Sequence, residues 1–145
     1  MLEKVVVIGS NSFSGASFIA YALQQNCSVI GLSRSSELNQ VFLPYQWIPE
    51  VKNYQFHQLD LNHDLDRIME VIQQEKPDYV INFAAQSMVA QSWDYPEHWF
   101  MTNVVSSVKF HEQLRKCDFL KKYVHISTPE VYGSVTGSIS EETPY

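Results

Sequence analysis

The sequence predicts an α/β domain, a parallel sheet of five strands with helices on both faces. Three observations lead there. Short, β-branched, uninterrupted apolar runs recur along the chain, as strands buried on both faces require. Between them stand segments whose apolar residues repeat at i, i+3, i+4 and i+7, the period of a helix with one buried face. The two patterns alternate, and a strand–helix–strand unit returns its second strand parallel to the first.

Residues 4–9 (KVVVIG) form the first strand. Ala16, Ile19, Ala20 and Leu23 then mark a helix with one apolar face. Residues 28–32 (SVIGL) form the second strand, and residues 33–53 a long connection containing Pro44 and Pro49. Such connections are functional or carry short local helices; Tyr45 and Trp47 within it are expected to pack. Residues 54–59 form the third strand, with Asp60 just past its end. Leu65, Ile68, Met69 and Ile72 repeat the helical period, and Pro77 follows that helix. Residues 78–83 (DYVINF) form the fourth strand. Asp94, with Pro96 and Glu97 behind it, reads as an N-cap with a capping-box partner. The helix it opens would bury Phe100, Val104, Ser107, Val108 and His111 on one face, with Trp93 and Trp99 packed around its start. Residues 122–127 (KYVHIS) form the fifth strand, and the chain from 133 onward is turn-rich without periodicity.

A chain of 145 residues with 45% hydrophobic content suits one domain with a real core. The net charge of −6 argues against nucleic acid as a partner, which would need a basic face. A phosphorylated ligand remains compatible, because backbone N–H groups and one or two local cations can hold it. Cys27 and Cys117 lie far apart in sequence and are expected to be reduced, buried thiols. No apolar run approaches the roughly 20 residues of a membrane span, and residues 1–4 do not open a signal peptide. No membrane partner is expected, and the cytoplasm is the expected location. The five histidines show no metal-ligand spacing, so no metal is expected.

The chemistry-bearing motifs all fall at carboxyl ends of strands, where such sheets bind their ligands. The first strand runs into Gly9-Ser10-Asn11-Ser12-Phe13-Ser14-Gly15. The outer glycines permit a tight turn and close strand–helix packing, and the helix N-terminus can hold a diphosphate; the alternative is a plain strand–helix turn. This loop resembles the G-x-x-G-x-x-G of short-chain dehydrogenases, with Ser12 at the middle glycine position. The resemblance implies a Rossmann-type, doubly wound sheet in the order 3-2-1-4-5, and cofactor contacts along residues 9–15. The second strand ends Ser33-Arg34-Ser35-Ser36, with no acidic residue before Glu37. Arg34, with hydroxyls from Ser33, Ser35 and Ser36, could pair with a 2′-phosphate; the alternative is a solvated surface arginine. The stretch is similar to that of GDP-mannose 4,6-dehydratases, which use NADP, so NAD(P) is the expected cofactor, with NADP favoured over NAD.

Asp60-Leu61 resembles the family's Asp-Leu against the adenine. Asn82-Phe83-Ala84-Ala85-Gln86-Ser87 is similar to the N-x-A-A-x-S segment of extended short-chain dehydrogenases. There Phe83, Ala84 and Ala85 would lie against the cofactor, and Gln86 and Ser87 would face a nucleotide-sugar substrate. Thr102-Asn103-Val104 resembles the family's T-N-V. Asparagine is disfavoured inside helices, so Asn103 suggests a buried polar role, bonding backbone or water near the site. Ser127-Thr128-Pro129-Glu130-Val131-Tyr132-Gly133 is similar to the S-T-D-E-V-Y-G of dTDP-glucose 4,6-dehydratases. The resemblance implies that Ser127 lies near the cofactor and that Thr128 bonds the sugar 4-hydroxyl. Dehydratases use the next two carboxyl residues as acid and base; here Pro129 replaces the acid, leaving Glu130. The family's Tyr-x-x-x-Lys does not occur after Ser127, and Tyr132 and Tyr145 are not read as its tyrosine.

The expectation is a nucleotide-sugar oxidoreductase or lyase of the epimerase/dehydratase type that oxidises sugar C4. Residues 1–145 would be its NAD(P)-binding domain, incomplete and without the C-terminal substrate domain. On that expectation the chain binds dinucleotide and turns nothing over. The rival is a non-catalytic NAD(P)-binding sensor or scaffold module, favoured by Ser12 and Pro129. A homodimer through the helical face from Phe100 to His111 is a further expectation.

Overall fold

The computed structural model describes residues 2–49 and 52–145. Met1, at the head of the segment read for a leader, and Glu50 and Val51, within the 33–53 connection, lie outside the described residues. The expected sheet is present: β1 (Lys4–Ile8), β2 (Ser28–Ser33), β3 (Tyr54–Gln58), β4 (Tyr79–Asn82) and β5 (Lys122–His125). All neighbours are parallel, in the order β3-β2-β1-β4-β5. Ile8 pairs with Leu32 on one side and Asn82 on the other, so the carboxyl tips of the three central strands are level.

Alternation along β1 sends Val5 and Val7 to one face and Val6 and Ile8 to the other. The Val5/Val7 face packs on α1 (Phe13–Gln24) through Ala16, Ile19 and Ala20. The Val6/Ile8 face packs on α2 (Leu65–Glu75) through Ile68 and Ile72. Lys76 closes α2 in the left-handed region, φ 46°, just before Pro77. At the opposite end of the sheet Asp78 ties three strands together. Its Oδ2 accepts from the Lys4 backbone N–H at 2.8 Å, its Oδ1 meets Lys121 Nζ at 2.9 Å, and its carbonyl accepts from the Lys121 N–H at 2.9 Å. The Lys4 N–H and the Lys121 ammonium hold this carboxyl below its ordinary value.

The 33–53 connection carries two turns of 3₁₀ helix, Gln40–Phe42 and Pro44–Trp47. Tyr45 packs as expected and is 1% exposed. Trp47 differs: it is 62% exposed, and its indole N–H donates to the Gln40 carbonyl.

The crossover between β4 and β5 departs most from expectation. Asp94 does not cap a helix; it is the last residue of α3 (Val89–Asp94), which the sequence reading left out. Pro96 opens α4 (Pro96–Trp99), with Tyr95 at its cap and no side-chain cap bond. The chain then widens to π winding over Phe100–Ser106 and tightens into α5 (Ser107–Leu114). This winding breaks the 3.6-residue register on which the predicted face rested. Thr102, Ser106, Ser107, Phe110 and Leu114 are buried, whereas Phe100, Val104, Val108 and His111 face solvent. Trp93 does not pack either, at 84% exposure.

Phe110→Ala is expected to cost about 3–5 kcal/mol, and Val108→Ala less than about 0.5 kcal/mol, in urea unfolding. The reverse ranking would reinstate the face predicted from periodicity. Asp78 has a depressed pKa in the folded state, so its contribution is present above the unfolded value of about 3.9 and is lost as pH falls through the folded value. Asp78→Asn should lower stability at neutral pH and flatten the loss that sets in as pH falls below the unfolded value of about 3.9. Thermal melts across that range read both effects, and an unchanged slope in the variant counts against this role.

Candidate functional site

A cleft of about 260 Å³ lies over the tips of β1, β2 and β4 and the end of β3. Its floor is the turn after β1. Gly9 has φ +80°, and a Cβ there would stand 2.7 Å from the Ala84 N and 2.9 Å from the Phe83 carbonyl carbon. Only glycine allows this turn to lie against the β4 loop. The Gly9 and Ser10 N–H groups both donate to the Leu32 carbonyl, and Ser12 N–H donates to the Gly9 carbonyl. Gly15 is needed for a second close approach, because its Cβ would strike the Gly9 carbonyl oxygen.

Ser12 is the N-cap of α1. Its Oγ accepts from the Gly15 N–H at 3.0 Å, and its carbonyl from the Ala16 N–H at 2.8 Å. The middle glycine position of the motif is therefore filled by a side chain that organises the helix start. The N–H groups of Phe13 and Ser14 remain at that start, where a twelve-residue helix favours an anion.

Side-chain amides tie the cleft walls together. Asn11 Nδ2 donates to the Ser35 carbonyl and Oγ, both at 3.1 Å, and to the Ser36 carbonyl at 2.8 Å. Asp60 Oδ1 accepts from the Asn62 N–H at 2.8 Å, which turns the chain after β3. Asn82, fully buried, accepts from the Ala84 N–H at 2.9 Å and donates towards Tyr123 and His125 at 3.3 Å. Burial, with His111 nearby, lowers the pKa of His125, and burial raises that of Tyr123. Asn103 meets both backbone groups of Gln86, accepting from its N–H and donating to its carbonyl, each at 2.9 Å. Asn103 thus bonds backbone, as expected, but from an exposed position and not a buried one.

Of the residues singled out in the sequence, Gly9, Asn11, Ser12, Arg34, Ser35, Asp60, Leu61, Phe83, Ala84, Ala85 and Gln86 line the cleft. Ser10 does not: its side chain is fully buried beside Gly31 and the Tyr54 hydroxyl. Phe13, Ser14 and Gly15 sit at the start of α1, with Phe13 88% exposed. Ser87 is exposed on the loop that continues from Gln86. Ser127, Thr128 and Glu130 are exposed past β5, the last in a 3₁₀ turn, Pro129–Tyr132. Ile126 N–H donates to the Asn82 carbonyl, which runs this segment alongside the β4 loop.

Asn62 also lines the cleft and was not singled out, and Thr102, noted only as part of the T-N-V motif with no role of its own, lines it too. Asn62 Nδ2 donates to Thr102 Oγ1 at 3.0 Å, joining the β3 loop to the π segment. The D-x-N spacing from Asp60 was a readable signal for Asn62. Thr102 needed the π winding, which periodicity does not reveal.

The family model described as GDP-mannose 4,6 dehydratase matches residues 6–145. A dTDP-glucose 4,6-dehydratase of Xanthomonas campestris is 30% identical over 97% of this chain and 42% of its own length. A GDP-mannose 4,6-dehydratase of Vibrio cholerae is 31% identical over 99% of this chain and 40% of its own. Among solved structures, the dTDP-glucose 4,6-dehydratase of Bacillus anthracis in complex with NAD superposes with a TM-score of 0.76 at 28% identity, over 98% of this chain and 43% of that one. The chain therefore spans well under half the length of these relatives. With its strand order and the motifs at its strand tips, it belongs to the GDP-mannose 4,6-dehydratase family.

Proposed function

We propose that residues 1–145 are the NAD(P)-binding domain of an enzyme that oxidises a nucleotide sugar at C4. The observation that carries this reading is the cleft itself. A helix N-terminus, walls of small residues, a carboxylate and a cation are arranged along it as a dinucleotide requires. When bound, the dinucleotide supplies the acceptor for hydride from the sugar.

The chain's own residues then divide the work. The Phe13 and Ser14 N–H groups receive the diphosphate, with Ser12 and Gly15 shaping the helix start. Asp60 accepts from the adenine amino group with the oxygen not engaged by Asn62, and Leu61 walls the ring. Phe83, Ala84 and Ala85 leave room for a ribose, with Ser127 beside them. Asn103 holds that loop through Gln86. Gln86 and Ser87 face the sugar nucleotide, and Thr128 donates a hydrogen bond to its 4-hydroxyl. Elimination of water needs a proton donor beside the base, and Pro129 has none to give. Glu130 stands as the carboxyl group next in sequence, which favours epimerisation or reduction after oxidation.

NADP is favoured over NAD, because Arg34 stands at the cleft and the β2 tip, residues 33–36, carries no acidic residue. Among the described residues no helix is long and apolar enough to cross a membrane, and we place the protein in the cytoplasm. A second copy of the chain is the partner suited to the exposed Phe100, Met101, Val104, Val105 and Val108.

Titration with NADPH and NADH tests the reading. Wild-type protein is expected to bind NADPH more tightly, and Arg34→Ala to weaken NADPH about tenfold while leaving NADH unchanged. Binding of neither dinucleotide would sink the proposal. Light scattering tests the partner: Val104→Glu with Val108→Glu should convert a dimer to a monomer, and a monomeric wild type removes it.

A further inference from the structure

The β2 tip, residues 33–36, holds one cation and three hydroxyls, and the first carboxylate of the connection is Glu37. Ser35 lines the cleft, and Asn11 pins the chain there through Ser35 and Ser36. The Glu37 Cα can stand no more than about 7 Å from that of Ser35. A carboxylate released at this rim would accept from a ribose 2′-hydroxyl and repel a 2′-phosphate.

Glu37 is not released. Its Oε1 accepts from the Tyr45 hydroxyl at 2.6 Å, with Gln46 Nε2 at 3.5 Å. Tyr45 is itself fully buried in the core beneath α1, and its ring lies 4.5 Å from that of Tyr54. The Tyr54 hydroxyl donates to the Tyr45 oxygen at 3.2 Å, so the Tyr45 proton is committed to Glu37. Burial raises the Tyr45 pKa far above its ordinary value, which keeps that proton in place.

We propose that Tyr45 sets the cofactor preference of the cleft by withholding Glu37 from its rim. The inference rests on the dinucleotide reading above and names the device behind its NADP preference. Tyr45 touches no cofactor; it is a positioning residue that acts through Glu37. The connection after β2 thus serves as a tether, carrying the phenol that holds an unwanted charge aside.

The test titrates NADPH and NADH by nicotinamide fluorescence against wild type, Tyr45→Phe, Glu37→Gln and the double variant. Tyr45→Phe frees the carboxylate, so the NADPH dissociation constant should rise about threefold or more while that of NADH stays level or falls. Glu37→Gln should keep the wild-type preference, and adding it to Tyr45→Phe should restore that preference. A loss of packing alone would weaken both cofactors equally and would not be rescued. Glu37→Asp provides a second route that leaves the core intact: the charge is kept, the reach to Tyr45 is lost, and the same shift is expected. An unchanged NADPH-to-NADH ratio in both Tyr45→Phe and Glu37→Asp overturns the inference while leaving dinucleotide binding intact. A wild type that binds neither dinucleotide overturns the functional reading beneath it.

Discussion

The contact between Gly9 and the β4 loop decides most of what this molecule is. A β1 turn with any side chain at residue 9 would be held off Ala84, and the cleft floor would open. With glycine, the turn lies against the neighbouring loop, donates two N–H groups to the Leu32 carbonyl, and hands the chain to α1 within four residues. Gly15 repeats the device by bringing the first turn of α1 down onto the Gly9 carbonyl. Backbone thus meets backbone twice within seven residues, which fixes the helix start close to the level strand tips.

Around this floor, asparagine and aspartate side chains fasten each loop to the next. Asn11 reaches the end of β2, Asp60 folds the turn after β3, Asn82 holds the loop after β4, and Asn103 clamps that loop from the crossover. Each such bond contributes about 1 kcal/mol net. Their larger effect is on entropy, since loops already ordered lose less freedom when a ligand arrives. Some of these residues also join elements distant in sequence. Asn62 and Thr102 are separated by 40 positions, and Asn82 and His125 by 43.

That distance explains what the sequence disclosed. Strand positions, the parallel sheet and the burial of Ala16, Ile19, Ile68 and Ile72 follow from local period and from the alternation of elements, whereas the strand order was legible only through the family resemblance. The glycine turn, the Asp60 loop and the β4 loop were legible as motifs because their chemistry is carried by contiguous residues. The direction of the Ser10 side chain was not, since it depends on the space left by Gly31 and Tyr54 from two other strands. Nor was the engagement of Glu37, which is settled by a tyrosine eight residues away in an irregular connection.

The crossover before β5 shows the same limit as a competition between forces. Its N-terminal half carries more apolar area on the Phe100/Val104/Val108 side, and burying a large apolar side chain is worth about 1.5–3 kcal/mol. Burial of that side would swing Thr102 away from Asn62 and Asn103 away from the Gln86 backbone, opening two walls of the cleft. Phe110 and Leu114 anchor the helix the other way round, in the core shared with Ile68 and Val80. The π winding lets adjacent residues 102 and 103 serve two different walls before the register returns to that core. The rotation of this helix is therefore set jointly by the bonds at the cleft and by the Phe110 and Leu114 contacts in the core, and the apolar stripe is left in solvent.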